Sequence, residues 1–428
     1  MPALKDIVYK KLKLNNGLRI VTHHMSGMQS VALGIWIKVG GRYENENNKG
    51  ISHFLEHLLF KGTKNYSCRQ IKESIEGVGG SLNGFTSEEV TCYLVKMPYK
   101  HIDLALNVLS DMVISPSLSK ADILKERTVI LEEIKMYKDL PQVYVHELLD
   151  ALLWPKHPLG LSILGSVESV NAMGKKDFLL HKEKYYNVGN MVVSAAGIFD
   201  HEDFFRKVER IFGRLKSRPV NDFIGASEKQ DKPQLDILDK QTEQTHLALG
   251  FHAFKRDHPL KYAADMLHII LGANMSSRLF NEVREKRGLA YEIGTQVKRY
   301  YDAGTFIVHA GIDNRKLQEA IKVILLELGK VKKTIVSPDE FKRAKEFYLG
   351  QLTLALEDTM DYMLWIGEST ATLDKTHTLK SIIEEVKKVK RQDLQEVSRV
   401  IFKKNKLNLA LIGPLASSRE EIYNLLDI

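Results

Sequence analysis

The stretch Asn190-Met-Val-Val-Ser-Ala-Ala-Gly197 is answered 216 positions later by Lys406-Leu-Asn-Leu-Ala-Leu-Ile-Gly413. Each is a short apolar run closed by glycine, the pattern of a strand buried on both faces. The echo is not isolated. Leu33-Gly34 is answered by Leu249-Gly250 and Asp177-Phe178 by Asp393-Leu394 at the same offset, and Leu124-Lys125 by Phe341-Lys342 one residue further on. Ser115-Pro116 and Ser337-Pro338 each precede a long helical pattern. A chain that repeats itself at one period is built from copies of one unit. Each copy reads as strands, helix, strand, long helices and a closing strand, so the expected class is α+β, two homologous domains of sheet packed with helices. The polar, turn-rich residues 217–233 read as the linker, giving domains over residues 1–216 and 234–428.

Composition bounds the function. A chain of 428 residues, 44% hydrophobic and 27% charged, can bury more than one core. Cys68 and Cys92 give no disulfide framework and suit a reducing compartment. No apolar run approaches the ~20 residues of a membrane span. The opening Met1-Pro-Ala-Leu-Lys-Asp-Ile-Val8 lacks the apolar core of a secretory signal and the Arg/Ser character of a transit peptide. A cytoplasmic, bacterial protein is the expectation, with a mature mitochondrial matrix protein as the alternative. The net charge of +8 is spread among acids, and even Lys387-Lys-Val-Lys-Arg391 reads as a solvated helix end rather than a nucleic-acid site.

Gly50-Ile-Ser-His-Phe-Leu-Glu-His-Leu-Leu-Phe-Lys-Gly-Thr63 carries the chemistry. His53, Glu56 and His57 spell H-x-x-E-H, a zinc-peptidase signature in inverted order. Ile51, Phe54, Leu55, Leu58 and Leu59 fill the other faces of a helix. Residues four apart lie about 40° from each other around the axis, so both imidazoles can reach one metal ion with Glu56 beside them. Neutral imidazole suits zinc, and a carboxylate that is not a ligand can take a proton from water on the metal. A second helical pattern, Leu124 to Met136 with apolar Leu124, Val129, Ile130, Ile134 and Met136, carries Glu126, Glu132 and Glu133. Glu126 and Glu133 stand two turns apart along one face. Two neutral histidines and one carboxylate would leave zinc an open position, the arrangement of a catalytic site. A lone histidine pair, His23-His24, reads as a surface pair.

These motifs resemble the pitrilysin and insulinase family of inverted-motif zinc peptidases, in particular its short-chain branch with mitochondrial processing peptidase and bacterial relatives. The resemblance covers essentially the whole chain. It implies a third ligand about 75 residues beyond the second histidine; 75 residues separate His57 from Glu133, with Glu132 a rival one helix position away. It also implies Glu126 as the carboxylate that orients a ligand, one zinc ion per chain, and Glu56 as the base. Gly79-Gly-Ser-Leu-Asn-Gly-Phe-Thr86 resembles the family's edge-strand segment, which implies substrate contacts at Asn83 and Gly84. Gly84 stands where relatives usually have alanine, which would loosen the edge. Ser276 to Tyr291 resembles the family's second block and implies Arg284 and Tyr291 as donors to the substrate, with Arg278 and Arg287 structural.

The repeat assigns the chemistry to the first copy. Positions equivalent to His53, Glu56, His57 and Glu133 fall on Ile269, Gly272, Ala273 and Gly350. The function that the resemblance implies is a zinc endopeptidase acting on extended or unfolded peptides enclosed in a chamber. The alternative is a non-catalytic assembly subunit, against which the complete metal set argues. By the resemblance, one chain is half of a clamshell, and two chains close it. A homodimer is expected, with a heterodimer containing a zinc-less paralogue as its rival, and neither nucleic acid nor membrane as a partner.

Overall fold

The computed structural model describes residues 9–220, 222–416 and 418–428. The opening residues 1–8, read above for targeting signals, lie outside them. Two compact units are present. In the first, strands β1 (Tyr9–Lys13), β2 (Arg19–His24), β3 (Ser30–Ile37), β4 (Ser81–Thr86), β5 (Thr91–Pro98) and β6 (Met191–Gly197) form one sheet in the order β1-β2-β6-β3-β5-β4. The β2/β6 pair is parallel and the other pairs are antiparallel. The all-apolar and small residues of β3 and β6 occupy the middle, where both faces are covered. The polar β4, Ser-Leu-Asn-Gly-Phe-Thr, takes an edge and stays half-exposed.

The second unit has β7 (Gln234–Asp239), β8 (Gln244–Ala253), β9 (Ala290–Arg299), β10 (Gly304–Asp313) and β11 (Asn408–Gly413), in the order β7-β11-β8-β10-β9. This is strand for strand the order β2-β6-β3-β5-β4, again with one parallel pair at the same place. The repeat seen in the residues is thus a repeat of topology, and β1 is an addition to the first copy. Residues 217–233 hold no helix or strand among the described residues.

The compact units do not follow the linear division at residues 217–233. The first comprises Met1–Lys135, Leu161–Ile224 and Thr353–Ser381; the second comprises Met136–Gly160, Gly225–Leu352 and Ile382–Ile428. In the first unit, α1 (Ile51–Leu59), α2 (Cys68–Glu76) and α3 (Ile102–Ile114) pack on the sheet from the chain's first half. The helix Thr359–Leu373, from the second half, crosses β3, β6 and β2. Side chains alternate along strands, so Gly34 and Trp36 face this helix, while Tyr93, opposite Ile35 in the ladder, faces away and meets Phe60. The helix lies close because each side of the contact has a glycine: a Cβ on Gly367 of the helix would come 2.2 Å from Trp36 Nε1, and one on Gly34 of β3 2.6 Å from Met363 Sδ. His23 is not at the surface as expected of a histidine pair. It is buried and stacks on Tyr362 with 3.9 Å between ring centroids, leaving only His24 exposed.

The second unit mirrors the exchange. After α4 (Lys120–Asp139), the helix α5 (Pro141–Leu153) lies across β8 and β11. Its Val145, Leu149 and Leu153, with Trp154, form a core with Ala248, Ile307, Ala410 and Ile412. An apolar helix stripe must be buried, but the stripe alone does not say against which sheet.

Candidate metal centre

The helix α1 forms where Ile51, Phe54, Leu55, Leu58 and Leu59 bury its apolar faces. Its N-cap is Gly50, at φ +91, where an added Cβ would lie 2.6–2.9 Å from Leu164 O and the backbone of Gly165. No side chain can cap the helix from there. The buried Glu44 does so instead, accepting from Gly50 N at 2.6 Å and Ser52 N at 2.8 Å, one on each carboxylate oxygen. Burial pushes the Glu44 carboxyl up to about 7, against the pull of these hydrogen bonds. Behind Ser52, its Oγ lies 3.2 Å from His181 Nε2.

The helix α4 brings the acids. Its buried stripe is Ile123, Glu126, Ile130 and Ile134. Leu124, Val129 and Met136, expected on the apolar face, are instead 50%, 44% and 51% exposed. A charged residue sits inside the apolar stripe because it is partnered: Glu126 Oε1 receives Lys61 Nζ at 2.7 Å.

His53, His57 and Glu133 come together with one ligand atom of each within 4.8 Å of the others, the one such group of His, Cys, Asp and Glu among the described residues. Glu133 Oε2 stands 3.7 Å from both His53 Nε2 and His57 Nε2. It is buried and has no hydrogen-bond partner among the described residues. Glu132, the rival acid, is exposed and pairs with Lys135. His57 Nδ1 lies 3.4 Å from Glu126 Oε2, so the ring is oriented from behind. His53 Nδ1 meets no partner among the described residues. Glu56, 8% exposed, accepts from Thr86 Oγ1 at 2.7 Å. Burial, seconded by His57, lowers the His53 pKa to about 3, so its imidazole is neutral and its lone pair is available at pH 7. Burial raises the carboxyls of Glu133 and Glu56; His57 opposes it at both, and Thr86 opposes it more strongly at Glu56.

These residues fit a zinc ion. The two 3.7 Å separations are too long for hydrogen bonds, yet near the ~3.4 Å between ligands bound tetrahedrally at about 2.05 Å. A buried carboxylate oxygen without a donor, facing Nε2 of the neutral His53 and Nε2 of His57, is a set of ligand atoms suited to a cation.

The other expected contacts fall in two places. Asn83 and Gly84 lie on the edge strand β4, and Asn83 Oδ1 accepts from Gly84 N at 2.8 Å. Gly84 sits against Phe60. A Cβ there would meet the Phe60 ring at 3.0–3.1 Å, so the glycine lets that ring close over the strand. In the second unit, Arg284 sits on a π-helical turn, Phe280–Glu285, with its guanidinium 5.6 Å from the ring centre of the exposed Tyr291. Arg278 pairs with Glu340 through two 2.8 Å bonds, and Arg287 with Glu282. The helix Lys261–Leu271, topologically equivalent to α1, carries Asp265 and His268, but these bond Arg299 and Thr295.

Comparison with known proteins shows the family. The family described as Insulinase (Peptidase family M16) matches residues 19–167, and Peptidase M16 inactive domain matches residues 173–348. The uncharacterized zinc protease YmxG of Bacillus subtilis is 36% identical over 409 residues, covering 95% of this chain and 98% of that protein. The chain belongs to peptidase family M16. An uncharacterized zinc protease of Rickettsia felis is 35% identical over 94% of this M16 chain and 97% of its own length. The crystal structure of a protease from Helicobacter pylori shares the fold, with a TM-score of 0.89 at 24% identity over 96% of this chain and 100% of that one. Among the described residues, no helix is long and apolar enough to cross a membrane.

Sequence reasoning gave no role to Lys61, Thr86 or Glu44. Lys61 follows His57 by four positions, a spacing that could have flagged it. Thr86 and Glu44 reach α1 through space, from a strand and a loop.

Proposed function

We propose that this M16 chain is a zinc-dependent endopeptidase for extended or unfolded peptides. The observation that carries the reading is the gathering of His53, His57 and Glu133 around an unpartnered carboxylate oxygen, with Glu56 beside them and not among them. When bound there, zinc would act as a Lewis acid toward a peptide carbonyl and acidify water. The chain's own residues do the rest. His53, His57 and Glu133 hold the metal, and Glu126 orients His57. Glu56 takes the proton from the attacking water and passes it to the leaving amine. The edge strand β4, around Asn83 and Gly84, offers its unpaired rim to an extended peptide, whose main chain supplies affinity without a strict sequence. By the family resemblance, Arg284 and Tyr291 donate to the substrate carbonyl and the oxyanion formed from it. By the family resemblance, two chains complete a clamshell that encloses the peptide, as a homodimer; one full metal set and two repeat units in one chain support that reading.

The test is cleavage of a peptide library, read by mass spectrometry with and without a chelator, beside a folded protein of similar composition. Zinc-dependent cuts within peptides, with the folded protein spared, are expected. Undiminished cleavage after complete metal removal would contradict the reading.

A further inference from the structure

Thr86 stands where the edge strand meets the zinc helix. It is the last residue of β4, and its Oγ1 donates to Glu56 Oε2 at 2.7 Å. Its place is fixed from several sides. Thr86 pairs with Thr91 in the β4/β5 ladder, Thr91 Oγ1 bonds Val39 O at 2.9 Å, and Ser87 N closes the turn on Val90 O at 2.9 Å. A β-branched side chain on such a strand has few rotamers to choose from. Phe85, the preceding residue, points to the other face, edge-on to Trp36. The backbone of β4 therefore faces outward along the sheet edge while the Thr86 hydroxyl reaches inward to the carboxylate.

We propose that Thr86 is a positioning residue that aims the Glu56 carboxylate from the strand on which the peptide is laid, so that the base and the incoming chain are indexed to one rigid element. The inference rests on Glu56 being the base. A carboxylate on a flexible side chain has two equivalent oxygens and rotates freely in water. One donor on Oε2 stops that rotation and leaves Oε1 to face the reacting water. A peptide added to β4 takes its register from the same backbone, so the distance from scissile carbonyl to base does not depend on a second, independently moving part. Geometry of this kind acts on the rate of the bound complex rather than on binding.

The experiment compares Thr86→Val, which removes the hydroxyl at nearly constant shape, with Thr86→Ser and Glu56→Gln, each assayed for kcat, KM and zinc content. Thr86→Val is expected to lower kcat about 10–100-fold, the scale of a base displaced by a fraction of an ångström, with KM and zinc content unchanged. Thr86→Ser is expected to recover most of that loss. A Thr86→Val enzyme with wild-type kcat overturns the inference when Glu56→Gln is inactive. So does an equal loss in Val and Ser variants, or a loss explained by departed zinc. An active Glu56→Gln enzyme would instead remove the base assignment beneath it. Should Thr86→Val fail to fold, the kcat ratio of Thr86→Ser to Thr86→Ala decides the same point.

Discussion

Lys61 and Glu126 form a 2.7 Å ion pair directly behind the metal centre, with the carboxylate only 2% exposed. One oxygen of Glu126 holds the lysine and the other faces His57 Nδ1 at 3.4 Å. The pair joins the residue just past the end of the zinc helix to the helix that carries Glu133. Removing either partner leaves the other charge unpaired and frees the His57 ring to turn.

Zinc affinity should report that link. Glu126→Gln and Lys61→Met are both expected to weaken zinc binding about 10–100-fold, the range for lost partners of metal-ligating histidines. Competition titration against a chromogenic chelator measures it. Wild-type affinity in both variants would show that His57 needs no orientation from behind.

Glu44 makes a different prediction, about folding. Glu44→Ala leaves Gly50 N and Ser52 N buried without acceptors, at about 1–3 kcal/mol each. Glu44→Gln keeps one acceptor oxygen and should fall between Ala and wild type. Urea denaturation of the metal-free proteins gives the order. An alanine variant as stable as wild type would mean that other groups cap the helix.

Acid should loosen the first unit through His181. Burial lowers its pKa from 6.5 to about 3, so between these values the unfolded chain takes up a proton that the folded chain refuses. The stability tied to neutral His181 is fully present above about pH 6.5 and drains away as pH falls toward 3. His181→Gln, which can still meet Ser52 Oγ, should make stability less dependent on pH across that window. His146 and His268, both lowered to about 4, titrate in wild type and variant alike, so the difference isolates His181. Parallel stability profiles from pH 7 to 4 would contradict the account.

What could be read from the residues follows their range of action. His53, Glu56 and His57 lie within one helical turn or so, and an apolar helix pattern around them is local information. Glu133 needed a long-range spacing, because any of three acids on its helix could have faced inward. That helix turns Leu124, Val129 and Met136 outward, against their apolar pattern, because Glu126, a charge, completes the buried stripe of Ile123, Ile130 and Ile134. Glu44 and Thr86 act across six and thirty positions through contacts that exist only once the chain has folded. The crossing of α5 and of the helix Thr359–Leu373 was invisible for the same reason. Their stripes demand burial without naming the sheet that provides it.

The central claim is that Glu56 acts on water beside a metal it does not bind, while His57 binds that metal. Zinc content and peptide cleavage of wild type, Glu56→Gln and His57→Ala, measured on the same preparations, test it most directly. The account predicts about one zinc per chain in wild type and in Glu56→Gln, cleavage only in wild type, and neither zinc nor cleavage in His57→Ala. Loss of zinc from Glu56→Gln, or cleavage by it at the wild-type rate, would contradict the account.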